Sequence, residues 1–442
     1  MIDKSKQDGK VVWCLNVLVL VSIIVGYYSY QRDFFYTINY GGVDLRNRVV
    51  GARVLQQGLD PYYYKWKPGD SELLLDPSDQ PNSPVTRLTA SPTVLMFHLP
   101  LANLHYSIQQ KIWLGVQWAF LLLTIGFLSL SAASKTKSRM IWILGLLVVS
   151  ASPIWSLHVE RGQAYILYAC LLALALWLLP RNPLVSGIVA GFTVCLRPLV
   201  GLILIPMLIH RKWKFLSGAA VGLVLGLALP LFNAKPSIWA SYVSVMMFHT
   251  GVHKNPMPFD KMAPSKIKIK SVEGMKNLKK MAKIRFSNSS LQQTMRTFGV
   301  NLSSKLLVLA FAAILVLVSA YLYTSRGLGM EKLFFIGAVL VFLSEFFIPA
   351  ARYSYNNVIW LVMFALILIH SETRFFPASP WLAFLLAGLI FTFAFKLIKS
   401  SLLWADYSIL VYALLTFGSL LRAWKSGPDY SAPGTERRPQ SQ

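Results

Sequence analysis

One isolated carboxylate and a few arginines are the residues in this sequence whose types could do chemistry together. Asp44 stands in the polar stretch GGVDLRNRVVGARVLQQGLDPYYY (41–64), directly after the first apolar segment. Arg197 and Arg352 stand within or beside apolar segments much further along the chain. A carboxylate and arginines on one face of a molecule suit a reaction that needs one general base and cationic stabilisation of a phosphate leaving group.

Asp44 also has two purely structural interpretations. It could cap the helix predicted from Leu45 to Gln57, or it could pair with Arg48 one helical turn later. Asp60 is the rival carboxylate, although an acid before a proline is typical of a turn. The remaining acids on the face predicted to hold the site are Asp33, the polar cluster 70–79, Glu160, Asp260 and Glu273.

Motifs for several other chemistries are missing from the sequence. It contains no GxGxxG or GxxxxGK[ST] phosphate loop, no Asp-x-Asp pair and no GxSxG elbow. Histidines in or near the polar loops lack the spacing of metal ligands: His98, His105, His158, His249 and His253. We therefore expect neither a cofactor nor a bound metal. The net charge of +25 is dispersed over many loops, so we expect no nucleic-acid partner.

The elements that must position these residues are membrane helices. Of the 442 residues, 55% are hydrophobic and 14% are charged, whereas soluble domains carry about 25% charged residues. Apolar runs of about 20 residues can cross a bilayer as helices. The sequence therefore predicts an all-α polytopic membrane protein, with an uncleaved anchor as its first span. Its apolar segments are 11–30, 108–133, 139–157, 163–180, 184–210, 214–233, 304–324, 332–349, 354–370, 379–396 and 401–421.

Segment 184–210 needs separate treatment because Arg197-Pro198 lies near its middle. Proline disfavours helical geometry in the residue before it and removes a backbone donor. Two short helices, 184–196 and 198–210, are therefore predicted to form a hairpin with Arg197 at its tip.

Short basic loops set the predicted orientation, because lysine and arginine favour the cytoplasmic side. With both termini inside, the chain has about 12 membrane segments in a single domain, 1–424, followed by a disordered cytoplasmic tail, 425–442. We expect the opposite face to point to the periplasm or exterior of the cell (inner) membrane. That face then holds a large first loop with interfacial helices (31–107), the corner 158–163, the Arg197 tip, the loop 234–303 and the turn 349–355.

Most charged residues near the membrane fall on this predicted outer face. Such residues are costly in hydrocarbon, so their clustering indicates a functional site. Arg161 and Arg352 could instead be anchors to lipid phosphates. The lysine-rich segment 254–285 fits either a basic amphipathic helix on the membrane surface or a solvated loop.

Glycosyl transfer from a lipid-linked sugar phosphate is a reaction of the predicted kind. Its base takes the proton of an acceptor hydroxyl, and the phosphate leaves already ionised. Four motifs in chain order then resemble glycosyltransferase family 87 of the GT-C superfamily, which includes polyprenyl-phosphate-mannose-dependent enzymes. They are Asp44-Leu45 with Ala52, Leu55, Gly58 and Pro61-Tyr62; SPTVLMFHLPLANL at 91–104 before a span that begins near Trp113; Gly162-Gln163 with Gly187, Gly191 and Arg197-Pro198; and NSSLQQTMRTFG at 288–299.

The resemblance implies roles for these residues. It implies a GT-C-type helical bundle in which Asp44, in the first outer loop, is the general base. Arg197 and Arg352 become the candidates for donor-phosphate contacts. The candidates for other substrate contacts are Gln163, Glu160, Asn288, Tyr355 and Asn357. Two of these, Gln163 and Asn288, could instead cap helix ends.

The late outer corner departs from the family pattern. Where the family often has Ser-Trp-x-His, this chain has Ser354-Tyr355-Asn356-Asn357. If that histidine contacts the donor phosphate, its role is vacant here or falls to Arg352 or Asn357.

The resemblance also implies the partners. They are a polyprenyl-phosphate sugar donor, a glycolipid or glycan acceptor and the membrane lipids, and the transferred sugar is a hexose with mannose as first choice. The alternative from another class is a transporter or flippase of lipid-linked sugars, which about 12 spans would suit. The lack of two similar halves and the large asymmetric first loop speak against a transporter.

Overall fold

The computed structural model describes residues 4–79, 83–254, 290–325, 327–348 and 352–370, together with parts of 410–424. Within these ranges the chain forms helices and turns and no β-strand, which confirms the all-helical class. Several sequence-based predictions lie outside the described residues: those on Asn288, nearly all of 254–285, segment 379–396 and the tail 425–442.

The described helices follow one another through mostly short connections. In chain order they are α1 (Lys4–Tyr40), α2 (Val43–Gln56), α3 (Pro92–Met96), α4 (Tyr106–Leu130), α5 (Lys135–Ile143), α6 (Pro153–Arg161), α7 (Tyr165–Leu178), α8 (Pro183–Leu196), α9 (Leu204–Ile209), α10 (Trp213–Ala228), α11 (Ile238–Lys254), α12 (Leu291–Thr297), α13 (Ser304–Thr324), α14 (Met330–Phe347) and α15 (Trp360–His370). A π-helical turn continues α5 over Leu144–Val149, and short 3-10 turns occur at Glu72–Leu74, Leu99–Leu101, Pro198–Ile203, Leu229–Phe232 and Ser354–Ile359.

Four of the described helices are long and apolar enough to cross a membrane by length and composition. They cover Val12–Asn39, Tyr106–Leu130, Trp213–Phe232 and Ser304–Thr324. A fifth span is counted if α5, its π-helical turn and α6 form one crossing bent by 69°. Other predicted spans are shorter apolar helices of 10–17 residues. The described residues therefore do not confirm the count of twelve segments, because several predicted spans are short or broken.

α1 corrects the predicted start of the first loop. The helix runs unbroken through residue 40, so the loop begins at Gly41 and not at residue 31. The polar residues of the added turns have partners inside the bundle: Asp33 is fully buried, and Arg32 donates to it at 2.9 Å. Arg32 also donates to two backbone carbonyl oxygens at the break before α6, those of Ser150 and Ala151.

α2 confirms the helix predicted in the first loop. The prediction covered Leu45 to Gln57, and the helix covers Val43–Gln56. It ends before Gly58, whose φ of +72° is the left-handed conformation that glycine adopts most readily. Of the tyrosines that follow, Tyr62 is fully buried and donates to the carbonyl oxygen of Ala90 at 2.7 Å.

α8 and α10 pack tightly against each other through glycines, and they run in the same direction. A Cβ on Gly218 would fall on the carbonyl oxygen of Leu184, and a Cβ on Gly226 would lie 2.6 Å from Sγ of Cys195. The contact points thus move from the start toward the end of both helices, as in a parallel pair. The glycines at these points are the small residues that close helix packing requires. Because the two helices are parallel, 198–212 must return the chain along α8. The reversal predicted after Arg197 is therefore present, but the predicted second helix, 198–210, is a 3-10 turn, Pro198–Ile203, followed by the short α9.

α14 and α15 form the most deeply buried part of the described bundle. Every residue from Leu333 to Phe346 is buried, and so is every residue from Trp360 to Leu368. Most of these side chains are apolar, and their van der Waals packing holds the membrane helices together. An ionisable side chain at this depth, Glu345, requires compensating partners.

Candidate active site

Asp44 stands in the first turn of α2, but it does not cap this helix. The N-cap is Gly42, which has a φ of +91° and makes no side-chain hydrogen bond. Glycine suits this position because any Cβ would meet the hydroxyl of Tyr106 and because the backbone is left-handed. The amide of Gly42 donates to the carbonyl oxygen of Glu160 at 2.6 Å, which joins the start of α2 to the end of α6. The capping interpretation of Asp44 is therefore wrong.

The Asp44 carboxylate instead accepts hydrogen bonds from the corner between α6 and α7. Arg161 binds it with two donors, Nε to Oδ2 at 2.6 Å and Nη2 to Oδ1 at 3.1 Å. The side-chain amide of Gln163 donates to Oδ2 at 2.5 Å. Nη2 of Arg87 lies 3.9 Å from Oδ1, and the Asp44 side chain remains 16% exposed. We call these residues, together with Arg48, the Asp44 cluster.

The charge state of Asp44 follows from this cluster. Burial raises the pKa of the carboxyl, but the paired guanidinium of Arg161 and those of Arg48 and Arg87 outweigh it, so the pKa lies below the usual value of 3.8. A carboxyl with a lowered pKa is ionised at neutral pH. The Asp44 cluster therefore presents a partly accessible carboxylate to any neighbouring hydroxyl.

Arg48 binds the corner between α6 and α7 and is not a direct hydrogen-bond partner of Asp44. Its Nη1 donates to the carbonyl oxygen of Gly162 at 2.8 Å, and its Nη2 donates to Oε1 of Gln163 at 2.5 Å. The amide of Gln163 thus accepts from Arg48 and donates to Asp44, which fixes its orientation. Gly162 ends α6 with a φ of +70°, and its oxygen also accepts from the indole of Trp113 at 3.1 Å.

A second charged group, the Glu345 cluster, is built from Glu345, Arg197, Arg352 and Asn357. Nη2 of Arg197 donates to Oε1 of Glu345 in a close ion pair, and Nε of Arg352 lies 3.9 Å from Oε2. Nη2 of Arg352 donates to Oδ1 of Asn357 at 2.5 Å. The side chains of Glu345 and Arg352 are 4% and 2% exposed. The lipid-anchor interpretation of Arg352 is therefore wrong.

Two tyrosines connect the Asp44 cluster to the Glu345 cluster. The guanidinium of Arg161 lies 5.5 Å from the ring centre of Tyr355, and the rings of Tyr355 and Tyr165 are 5.9 Å apart. The guanidinium of Arg197 lies 4.8 Å from the ring centre of Tyr165. A carboxylate with a lowered pKa and the arginine pair Arg197 and Arg352 thus lie on the two sides of an aromatic pair.

The structure brings most of the predicted site residues into these two clusters. Asp44 and Gln163 meet in the first, Arg197, Arg352 and Asn357 meet in the second, and Tyr355 lies between them. Glu160 lies at the same corner, where its backbone oxygen accepts the hydrogen bond from Gly42.

Glu345, Tyr165 and Arg87 were not predicted from the sequence. Glu345 carries a usable signal, since it is an acid near the end of the apolar segment 332–349, and ionisable residues inside spans often mark functional sites. Tyr165 and Arg87 lack such a signal, because their partners are far away in the sequence. The described part of the chain contains no group of three or more His, Cys, Asp or Glu that could hold a metal ion.

Comparison with known families agrees with the resemblance seen in the motifs. A model of glycosyltransferase family 87 matches residues 89–344, which is more than half of the chain. The protein belongs to this family and is a membrane glycosyltransferase, which moves a sugar from a donor to an acceptor. The matched range contains Arg161 and Gln163, whereas Asp44 and Arg352 lie outside it. Neither the curated proteins nor the solved structures gave a match.

Proposed function

We propose that this glycosyltransferase moves a hexose, in the first instance mannose, from a polyprenyl-phosphate sugar to a lipid or glycan acceptor. The observation that carries the proposal is the pair of clusters on the two sides of Tyr165 and Tyr355. A transfer with one base needs a carboxylate beside the acceptor hydroxyl and cationic groups beside the departing phosphate, with the sugar between them.

Asp44 is the general base in this mechanism. Its Oδ2 accepts from Arg161 and Gln163, whereas Oδ1 accepts one hydrogen bond from the described residues, that of Arg161. A carboxylate oxygen can accept two hydrogen bonds, so Oδ1 can also receive the acceptor hydroxyl. The hydroxyl oxygen attacks the anomeric carbon and its proton passes to Oδ1. The bond from that carbon to the phosphate oxygen breaks, the phosphate keeps the electron pair, and the anomeric configuration inverts.

The lowered pKa of Asp44 is compatible with this role. A weak base removes a proton poorly from a free alcohol, because efficiency follows the strength of the base. The hydroxyl becomes far more acidic once its oxygen has begun to bond to the anomeric carbon. A carboxylate that is always ionised can take the proton at that late stage.

The donor phosphate is proposed to bind Arg197 and Arg352. Arginine presents a planar fork of donors that matches phosphate, and it does not deprotonate. Nε of Arg197 is buried and makes no hydrogen bond to the described residues, so it has a donor to offer to a ligand. Tyr165 and Tyr355 would then face the sugar, and its hydroxyl groups would be bound by Gln163, Glu160, Asn288 and Asn357.

The site is proposed to open on the outer face of the cell membrane, because the short basic loops favour the cytoplasm. In a background without native cysteines, Lys67→Cys in the first loop should react with an impermeant thiol reagent in intact cells. Lys135→Cys, at the start of α5, should react only after lysis. Labelling of the second position in intact cells would reverse the orientation.

The activity test uses purified protein, polyprenyl-phosphate hexoses and a membrane lipid extract. Mass spectrometry should find a glycolipid or glycan that is heavier by one hexose, formed by the wild type and not by Asp44→Asn. A transporter or flippase would instead move the lipid-linked sugar between leaflets without changing its mass. Translocation without any hexosylated product would therefore replace the proposed activity with transport.

A further inference from the structure

Glu345 takes no part in the mechanism described above, yet it lies between the two arginines proposed to bind the donor. Its Oε1 pairs with Nη2 of Arg197, and its Oε2 lies 3.9 Å from Nε of Arg352. Only 4% of its side chain is exposed. Any anion bound by both arginines would therefore lie close to a buried carboxylate.

The carboxylate determines the net charge of the Glu345 cluster. Two guanidinium groups and one carboxylate in these ion pairs give a net charge of +1, and the arginines alone would give +2. Four uncharged side chains pack on the two guanidiniums or bond to them. They are Tyr165, Asn357, Phe346 and Trp360.

The donor and the product of the proposed reaction differ in the charge of their phosphate. A polyprenyl-phosphate sugar is a diester with one negative charge. When the bond to the anomeric carbon breaks, the phosphate oxygen keeps the electron pair, and the released monoester carries about −1.5 to −2 at neutral pH. The same arginines must bind the first molecule and release the second.

We infer that Glu345 tunes the donor-phosphate site to the singly charged diester and against the more highly charged polyprenyl phosphate product. With Glu345 present, the cluster has enough positive charge to bind the donor and to stabilise the forming charge. The carboxylate repels the second negative charge, which speeds release of the product. This inference rests on the proposed function, and it makes Glu345 a specificity-determining residue for that site.

Glu345→Gln tests the inference because it removes the charge and keeps the size of the side chain. Affinities are measured by competition in detergent at neutral pH with two probes, polyprenyl phosphate and a polyprenyl-phosphate hexose without acceptor. The variant should gain about tenfold more affinity for polyprenyl phosphate than for the sugar donor, since the removed carboxylate no longer repels the second negative charge of the product. Product inhibition should strengthen by the same factor.

Glu331→Gln is the matched control, because Glu331 lies on the same helix about 21 Å away along its axis. It should leave the ratio of the two affinities unchanged. Removing Glu345 alone leaves Arg197 and the buried Arg352 without their carboxylate, which can destabilise the fold. Arg352→Gln and the double variant Arg352→Gln/Glu345→Gln therefore form a second pair. From the single to the double variant, the ratio should again shift about tenfold toward polyprenyl phosphate.

The outcomes separate this inference from the proposed function. Equal changes in both affinities, or no change, would make Glu345 only a structural partner of the arginines and would overturn the inference. Either result overturns the inference alone when the wild type transfers hexose from the polyprenyl-phosphate donor, because the proposed function then stands. A wild type that neither binds the two probes nor transfers the sugar would overturn the proposed function itself.

Discussion

The Asp44 cluster and the Glu345 cluster use the same residue types in different surroundings. In the first, one carboxylate faces the guanidiniums of Arg161, Arg87 and Arg48, and it stays 16% exposed. In the second, two arginines share a carboxylate that is 4% exposed, within the most deeply buried helices. The first cluster is assembled from the start of α2 and the corner after α6, whereas the second includes Glu345 from the last turn of the buried helix α14.

This difference suits two separate tasks within one site, proton transfer and phosphate binding. A carboxylate that exchanges a proton must be reached by a hydroxyl, so it belongs at a corner where loops meet. Groups that hold a phosphate act more strongly where water is excluded, because charges interact more strongly at low dielectric. The two clusters therefore predict different kinetic defects when each is changed.

The largest effect is expected for Asp44→Asn. The amide keeps the shape of the side chain but cannot accept a proton, and removal of a general base costs about 10²–10⁴-fold in rate. The turnover number of the purified variant measures this loss. Asp60→Asn is the control, since Asp60 accepts from the amide of Tyr62 at 2.9 Å in a turn. Near-normal turnover of Asp44→Asn, with an inactive Glu160→Gln or Asp60→Asn, would move the base to another residue.

Arg161→Gln should change how the rate depends on pH. In the wild type the pKa of Asp44 lies below 3.8 because Arg161, with smaller contributions from Arg48 and Arg87, outweighs the effect of burial, so the acid limb of kcat/KM lies below that value. Without the arginine, the carboxylate loses its largest stabilising partner and the limb should move up by about 1–3 pH units, so the rate should fall at acid pH and change little at neutral pH.

The stability of the folded protein should depend on pH in the same direction as the rate. The lowered pKa of Asp44 stabilises the folded wild type above the usual aspartate value, and this contribution is lost as the pH falls through the folded pKa. Arg161→Gln should lose this contribution. Arg181→Gln, whose guanidinium lies 4.6 Å from the ring centre of Trp177, is the control and should keep the wild-type profile. An unshifted acid limb in Arg161→Gln would show that Asp44 does not govern the rate.

Arg197→Lys should weaken donor binding and leave the saturated rate nearly intact. Lysine keeps the positive charge beside Glu345, so the buried carboxylate retains a partner, but it lacks the planar fork that binds phosphate with two donors. We expect KM for the donor to rise about tenfold, which corresponds to about 1.4 kcal/mol. An unchanged KM together with an unchanged turnover number would place Arg197 away from the donor phosphate.

Arg87→Gln should have the smallest effect. Nη2 of Arg87 lies 3.9 Å from Oδ1 of Asp44, and its side chain is 30% exposed, so solvent screens much of the interaction. A loss in kcat/KM of about twofold to threefold is expected, in line with the modest contribution of exposed ion pairs. A loss comparable to that of Arg161→Gln would mean that Arg87 contacts a substrate.

Local patterns in the sequence predicted several features that the structure contains. The amphipathic stretch after Asp44 forms α2, Gly58 ends it, and Pro198 breaks the long apolar segment into a hairpin. These features depend on residues close together in the chain, whose conformational preferences act locally. The extension of α1 was missed because the partners of Arg32 lie in a distant part of the chain.

The candidate site shows the same division between local and distant information. The sequence pointed to Asp44, Arg197 and Arg352 as single residues, but it could not show which groups they contact. The two arginines are separated by more than 150 residues, and only folding brings them to Glu345. For Arg352, only its burial in the structure separates a lipid anchor from a core residue. An arginine beside an apolar segment can face lipid or core with the same local sequence.

The most direct test of the division between the clusters compares Asp44→Asn and Arg197→Lys in one single-turnover assay with a polyprenyl-phosphate hexose. The dissociation constant of the donor and the rate of transfer at saturating donor are measured for both variants and the wild type. We predict that Asp44→Asn binds the donor like the wild type and has lost nearly all transfer, while Arg197→Lys binds it more weakly and transfers at close to the wild-type rate. If both variants lose the same quantity, or if Asp44→Asn transfers normally, the two clusters do not divide proton transfer from phosphate binding.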